Sequence, residues 1–194
     1  MNKLADNAIP ASLRTLLSDL LAYGAAAQTY MGYKTNALVT SGTINNPTYS
    51  TFSALSGNGA SFGGTEASDL CWTSASLTLT SSVAMSFRFY AESTANLSVT
   101  VSVNGRSDTF TSFTAIGGGI YEVSFTGIEA NEFAENVTAS FARNGATVGN
   151  TLTYSVNAYV QSKQADSNAA LQALVKALYN YGASAAAYTP AGES

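Results

Sequence analysis

The segment LRTLLSDLLAYGAAAQTY, residues Leu13–Tyr30, occurs twice in this chain. A shift of 158 residues aligns it with LQALVKALYNYGASAAAY, residues Leu171–Tyr188. Unrelated sequence separates the copies, and a repeat at this spacing predicts one unit of a tandem array, preceded by the last helix of the unit before it. The identical positions are Leu13, Leu16, Leu20, Tyr23, Gly24, Ala25, Ala27 and Tyr30, repeated at Leu171, Leu174, Leu178, Tyr181, Gly182, Ala183, Ala185 and Tyr188.

Both copies have the period of an amphipathic helix, with apolar residues at i, i+3, i+4 and i+7. Gly24 and Gly182 lie inside the pattern, where glycine costs about 1 kcal/mol relative to alanine. A glycine used twice and flanked by alanines predicts that another backbone approaches closely. The alternative is a helix end near Gly24, which the helix-forming residues 25–28 disfavour.

Between the helices the apolar period changes from 3.6 to 2. Asn104-Gly105 and Asn144-Gly145 each predict a tight hairpin, and Gly117–Gly119 predicts a further hairpin loop. Alternation with Ser and Thr predicts antiparallel strands with one wet face, and hence a two-sheet β-sandwich. The predicted strands cover residues 75–80, 83–90, 97–103, 121–125, 137–141 and 152–160, with less certain ones at 37–40, 48–55 and 70–73.

The predicted fold class is therefore mainly β: an antiparallel two-sheet sandwich flanked by N- and C-terminal amphipathic helices that are copies of each other. The predicted segments are an N-terminal helix (1–34), the sandwich (35–162) and a closing helix (163–194). Asp166, Ser167 and Asn168 are all candidate N-caps for the closing helix. The simplest assembly packs the two helices against each other or against one sandwich edge.

Composition excludes several function classes. Charged residues make up only 10% of the chain, the net charge is −4, and the basic residues are not clustered. A nucleic-acid groove or an anionic membrane surface needs clustered cations, so we expect neither partner. One cysteine and no histidine leave no disulfide and no zinc site. Residues 1–10 lack the features of a signal peptide, and we expect a piece of a longer chain whose secretion is specified elsewhere.

The strings LLSDLLAYGAAAQTYMGY, TYSVNAYVQSK and LVKALYNYGASAAAY, with the Ser/Thr-rich segment between them, resemble a recurrent module of large secreted proteins in anaerobic Gram-positive gut bacteria. Such proteins often carry dockerins, wall anchors or carbohydrate-active domains. The resemblance covers most of the chain and carries no catalytic motif. It implies an extracellular or cell-surface location and neighbouring modules of the same protein as partners.

Few residues offer catalytic chemistry, and we predict no enzyme activity, no catalytic residue and no cofactor. Without histidine there is no usual triad, and Cys71 has no imidazole base. The remote alternative is a glycoside hydrolase fragment using paired carboxylates. The acids and amides Glu129, Asn131, Glu132, Glu135 and Asn136 are a candidate calcium loop, with ordinary solvated acids as the alternative and no metal site predicted.

Carbohydrate recognition is the sharper hypothesis, because aromatic rings form flat platforms for sugar faces. The sole tryptophan, Trp72, lies in a Ser/Thr-rich context, while Tyr49, Tyr90 and Tyr159 lie on or near faces assigned to solvent. We select Trp72, Tyr90 and Tyr49 as candidate carbohydrate-binding residues, with Arg88 for the hydroxyls. The alternative is that Trp72 belongs to the core, which is the usual place for a single tryptophan in a sandwich.

Two hypotheses therefore stand. One is a structural spacer that extends a surface protein through helix-to-sandwich stacking, and the repeat favours it. The other is a module that binds starch or a plant polysaccharide through exposed aromatic residues. We expect a non-catalytic surface-protein module that acts as a spacer and has a polysaccharide as its second candidate partner.

Overall fold

The computed structural model describes residues 9–38, 52, 55, 59–79 and 83–188. These residues form two compact units. A helical unit contains residues 9–38, 52, 55, 130–134 and 160–188, and a sandwich unit contains residues 59–79, 83–129 and 135–159. Both predicted terminal helices therefore belong to one unit, which also takes in a short segment from the middle of the chain.

The sandwich unit has two antiparallel sheets, which confirms the predicted fold class. Five strands follow the order β1-β9-β8-β4-β5 in one sheet, and four follow the order β2-β3-β7-β6 in the other. The strands are β1 Ser61–Gly63, β2 Leu70–Leu79, β3 Val83–Ala91, β4 Leu97–Val103, β5 Arg106–Phe110, β6 Thr114–Gly117, β7 Ile120–Phe125, β8 Val137–Arg143 and β9 Ala146–Tyr154.

The alternation read from the sequence defines the buried faces of these strands. In β4, in β8 and in β3 from Met85 onward, the inward-facing apolar residues are buried and the residues between them are more exposed. Burial of this apolar surface is the main force that stabilises a sandwich. The largest fully buried side chains of this core are Phe87, Phe89, Phe141, Leu70, Met85, Leu152, Val99, Val101, Val103 and Val137.

Hydroxyl groups line the outer face of the five-stranded sheet. Thr100 Oγ1 lies 3.1 Å from Thr109 Oγ1, and Thr138 Oγ1 lies 3.4 Å from Thr153 Oγ1. Cross-strand hydroxyl pairs of this kind contribute a few tenths of a kcal/mol to about 1 kcal/mol each. Both Asn-Gly pairs form the predicted two-residue hairpins, joining β4 to β5 and β8 to β9.

The helical unit contains α1 (Ala11–Met31) and α3 (Ala169–Ala187), with 3₁₀ turns at Thr35–Ala37 and Ala130–Glu132. Helix α1 continues through Gly24, so the alternative of a helix end at that residue is wrong. Asn168 is the N-cap of α3, since its Oδ1 accepts hydrogen bonds from the amides of Ala170 and Leu171 at 3.0 and 3.2 Å. The two helices pack against each other, as the simplest predicted assembly has it.

The predicted last strand is wrong in its second half. Strand β9 ends at Tyr154, and helix α2 covers Val156–Lys163. Ser155 caps this helix, because its Oγ accepts a hydrogen bond from the Ala158 amide at 3.0 Å. Val156 and Val160 are both fully buried, and their spacing of four residues suits one face of a helix as well as one face of a strand. Most of the less certain strands at 37–40 and 48–55 lies outside the described residues.

Candidate functional site

Trp72 lies in the core of the sandwich. Only 2% of the residue is exposed, and its ring stacks on Phe141 of the opposite sheet with centroids 4.1 Å apart. Phe87 and Phe89 meet it edge-on at 6.2 and 5.6 Å. The indole N–H donates to the carbonyl of Asn150 at 3.1 Å, so the polar atom is satisfied within the protein. Trp72 therefore does not form an exposed platform, and the core alternative is the correct one.

A β-bulge explains why Trp72 points inward. The register of β2 against β3 shifts between Trp72 and Ser74. Leu70 and Trp72 are buried before the bulge, and Leu77 is buried after it. Extending the Ala75, Leu77, Leu79 alternation backwards without the extra residue places Trp72 on the solvent face. A bulge adds one residue to a strand and changes which side chains face inward.

Two further candidate residues, Arg88 and Tyr90, lie on the opposite face of the same sheet. The Arg88 Nε donates to Glu122 Oε2 at 2.8 Å, on the neighbouring strand β7. Tyr90 is half-buried, with its ring against the backbone of Gly119. Tyr49 lies outside the described residues. The structure thus brings Arg88 and Tyr90 together on one outer face and separates both from Trp72.

The acids of the predicted calcium loop belong to different surroundings. Glu129 lies 4.0 Å from Arg106 in the sandwich unit, whereas Glu132 is buried in the helical unit. Within the described part of the chain, no group of three His, Cys, Asp or Glu side chains is placed to hold a metal ion.

Cys71 has little reactive character, and an open cavity of the sandwich unit has a largely polar lining. Burial, and then the negative charge of Glu66, raise the pKa of the Cys71 thiol, which favours the unreactive protonated form. The cavity is open, has a volume of about 320 Å³ and lies beside the β4–β5 hairpin. Polar and small side chains line it, including Asn104, Arg106 and Asn136, and no aromatic ring is among its described lining.

Helices α1 and α3 contact each other through a pair of stacked tyrosine rings. Tyr23 of α1 stacks on Tyr181 of α3, with ring centroids 5.9 Å apart and planes 7° from parallel. These two residues are equivalent positions of the repeat. Burial, and then the neighbouring Tyr181, raise the pKa of the Tyr23 hydroxyl. The two copies therefore contact each other through the same residue.

A buried hydrogen bond shows in which direction α1 and α3 run relative to each other. The Ser184 hydroxyl donates to the Asp19 carboxylate, and both residues are almost completely buried. Asp19 precedes Tyr23, whereas Ser184 follows Tyr181, so the helices run antiparallel across this contact. Equivalent residues meeting in antiparallel helices are typical of an interface with a local twofold axis. The hydrogen bond breaks that symmetry, because the equivalent positions Ala177 and Ala26 are alanines.

The largest difference between the helices concerns their apolar faces. We define the leucine stripe as five equivalent positions in each helix. In α3 every residue of this stripe is buried, whereas in α1 none is, and Leu20 is 40% exposed. The stripe of α1 comprises Leu13, Leu16, Leu17, Leu20 and Gly24, and that of α3 comprises Leu171, Leu174, Val175, Leu178 and Gly182.

Phe133 covers the glycine end of the α3 stripe. A Cβ atom placed on Gly182 would lie 2.6 Å from Phe133 Cδ2 and 2.9 Å from Phe133 Cβ. At Gly24, no described atom outside the helix backbone lies within 4 Å of the same position. At Gly182 the close neighbour is therefore a phenylalanine side chain and not the predicted backbone, and at Gly24 no described atom is that close.

Sequence reasoning did not identify Phe133, Asp19 or Ser184 as important. Phe133 follows the 3₁₀ turn Ala130–Glu132, in the connection between β7 and β8. For Asp19 and Ser184, the signal that could have identified them is the comparison of the two copies, whereas Phe133 lies in neither copy. Glycine is kept in both, whereas Asp19 and Ser184 each replace an alanine of the other copy.

Searches of protein-family models, curated proteins and solved structures returned no match to this chain. The helices within the described ranges are too short or too polar to span a membrane.

Proposed function

We propose that this chain is a non-catalytic structural module of an extracellular surface protein, in which the terminal helices join neighbouring copies of the same unit. One observation carries the proposal: the two copies of the repeated helix pack on each other through equivalent residues, Tyr23 and Tyr181. A duplicated helix that recognises its own copy is suited to connecting units in series.

The surface of the sandwich supports a spacer more than a binder. On the outer face of the five-stranded sheet, hydroxyl groups pair across neighbouring strands. The exposed Arg88 forms a salt bridge with Glu122. Trp72 is buried among three phenylalanine rings and offers no flat face to a sugar. These features do not favour polysaccharide binding. The extracellular placement rests on the resemblance described above and on the low content of charged residues.

Retention on insoluble starch, cellulose and mucin, together with Trp72 fluorescence during titration with soluble glycans, tests this function. We expect no retention and a blue, quencher-resistant emission that glycans leave unchanged, because Trp72 is in the core. Saturable retention on any of these polymers would contradict the spacer function. In that case Arg88→Ala, with Arg106→Ala as the matched control on another surface, would show whether the outer face of β3 is responsible.

A further inference from the structure

The uncovered leucine stripe of α1 is a surface whose partner can be identified from within the chain. Apolar faces of this kind usually mark an interaction site, and α1 in addition buries Ser18 and Asp19 while its leucines stay half-exposed or exposed. An amphipathic helix is expected to bury its apolar side and expose its polar side. Among the described residues, α1 thus buries polar side chains and leaves its apolar stripe only partly covered.

Helix α3 shows what that partner is. The same stripe in α3 is fully buried, and the segment Ala130–Ala134 packs on α3, with the Phe133 ring over Gly182. The matching position of α1 is again a glycine, and the space beside it is open. A glycine inside a helix costs about 1 kcal/mol relative to alanine, so its presence at both positions calls for a close neighbour at both.

We propose that the leucine stripe of α1 binds the segment equivalent to Ala130–Ala134 in a second copy of this unit, with the Phe133 ring of that copy on Gly24. This inference rests on the proposed structural function and names its contact. The second copy lies on the N-terminal side of α1 in the same polypeptide, since the stripe of α1 then meets the Ala130–Ala134 segment of that copy as the stripe of α3 meets it in this one. The Tyr23–Tyr181 face remains paired, because it is a different face of α1.

The local twofold relation between the helices fits this arrangement. Helix α3 packs Tyr181 on Tyr23 of α1 and its leucine stripe on Phe133, whose ring also contacts the Tyr181 ring. With a second copy, α1 uses the Tyr23 face for α3 and its own stripe for the other Phe133. Each helix then has both faces covered, and one helix pair joins two sandwich units.

The experiment adds the missing copy. A second copy of residues 35–163 is fused ahead of residues 6–194. Lys163 of the added copy then precedes Asp6, and this junction keeps the spacing of the repeat because Lys163 is equivalent to Ala5. Amide hydrogen exchange of α1 is then compared with that in the single chain. We expect exchange of the α1 amides to slow by about tenfold or more, as for a helix that gains a buried face.

Gly24→Val is the decisive variant in this experiment. In the single chain the position is open, so the variant should leave α1 exchange and the thermal midpoint nearly unchanged, which also shows that it folds. In the extended protein it should remove the added protection, as should Phe133→Ala made only in the added copy. The double variant should be no worse than either single variant, because both remove the same contact.

Two results would overturn the proposal: α1 exchange unaffected by the added copy, or slower exchange that neither Gly24→Val nor the Phe133→Ala variant reverses. The first would mean that the stripe has another occupant, and the second that α1 is covered by a different part of the added copy. Failure of the spacer function would instead appear as glycan retention by the single chain, which does not depend on Gly24.

Discussion

Helices α1 and α3 have nearly the same stripe of apolar residues but different burial. The stripe of α3 is completely buried. Every position of the α1 stripe is at least partly exposed, and Leu20 is 40% exposed. Both helices have the same glycine, and only Gly182 has a phenylalanine over it. The comparison shows that the burial of a repeated helix is set by the segment it meets and not by its own pattern.

Removing the Phe133 ring should have the largest effect on this difference. Phe133 is 3% exposed and contacts both Gly182 and the Tyr181 ring. Phe133→Ala is expected to lower the free energy of unfolding by about 3–5 kcal/mol, because a buried aromatic ring is lost and a cavity remains. Urea unfolding followed by far-UV circular dichroism measures the change.

Phe62→Ala is the matched control for this variant, because Phe62 is 50% exposed on β1. Its unfolding free energy should stay within about 0.5 kcal/mol of the parent value. If the two variants lose similar amounts, Phe133 does not hold α3 in place, and the contrast between the two stripes has another cause.

Adding the same side chain to both glycines tests the contrast directly. Gly182→Val should lower the free energy of unfolding by about 1–3 kcal/mol, since its Cβ would meet the Phe133 ring at 2.6 Å. Gly24→Val should be neutral within a few tenths of a kcal/mol, because the space is open and valine and glycine differ little in helix propensity. Thermal and urea unfolding of both variants give the comparison.

Equal losses in the two glycine variants would show that the contact with Phe133 is not the cause of the loss at Gly182. Equal tolerance would mean that Phe133 moves aside at little cost. Only the predicted asymmetry supports a packed stripe on α3 and an open one on α1.

The buried hydrogen bond between the helices supplies the next test. Ser184→Ala removes a donor to the buried Asp19 carboxylate and should cost about 1–3 kcal/mol, which is the usual cost of a buried polar group that loses a partner. The double variant Asp19→Ala/Ser184→Ala should be less destabilised than Ser184→Ala alone, because no carboxylate is then left buried. Both substitutions introduce the alanine that the other copy already has.

A double variant that is as unstable as the sum of the two single variants would contradict this expectation. It would mean that Asp19 and Ser184 contribute independently to stability. The two residues would then not be coupled through their hydrogen bond. A urea-unfolding double-mutant cycle measures the coupling energy between them.

The sandwich could be predicted from sequence because its signals are local. Alternation in β3, β4 and β8 and the two Asn-Gly turns each involve neighbouring residues, and they set strand faces and hairpins. The inward position of Trp72 could not be predicted in this way, since it depends on a one-residue bulge that leaves no mark in the pattern. The α2 helix was missed because Val156 and Val160 fit either period.

The candidate contact surface was predictable only in part, because its partners are far apart in the chain. The repeat itself identified the helices, their pairing and the importance of Gly182. Phe133 lies 49 positions before Gly182 and Asp19 lies 165 positions before Ser184, so no local pattern connects them. Non-local packing of this kind becomes visible only when the fold brings the residues together.

The smallest expected effect is a pH dependence at the point where the two copies meet. Burial raises the pKa of the Tyr23 hydroxyl above its ordinary value of about 10, and the adjacent Tyr181 raises it further. A raised pKa in the folded state means that the stabilisation is complete below pH 10 and is lost as the pH rises through the folded-state value. Tyr23→Phe should reduce this alkaline loss of helix stability, as measured by circular dichroism at 222 nm.

The sandwich provides an internal reference for that titration. Burial, and then Tyr159, raise the pKa of Tyr154 to about 12, so this hydroxyl also ionises late. Tyr154→Phe should therefore change the alkaline limb as well, and absorbance at 295 nm in each variant separates the two contributions. Tyr30→Phe, at an exposed position of α1, should change neither. An alkaline limb that Tyr23→Phe leaves untouched would mean that the stacked tyrosines are open to water, and that the local twofold contact between the copies is looser than their near-parallel stacking indicates.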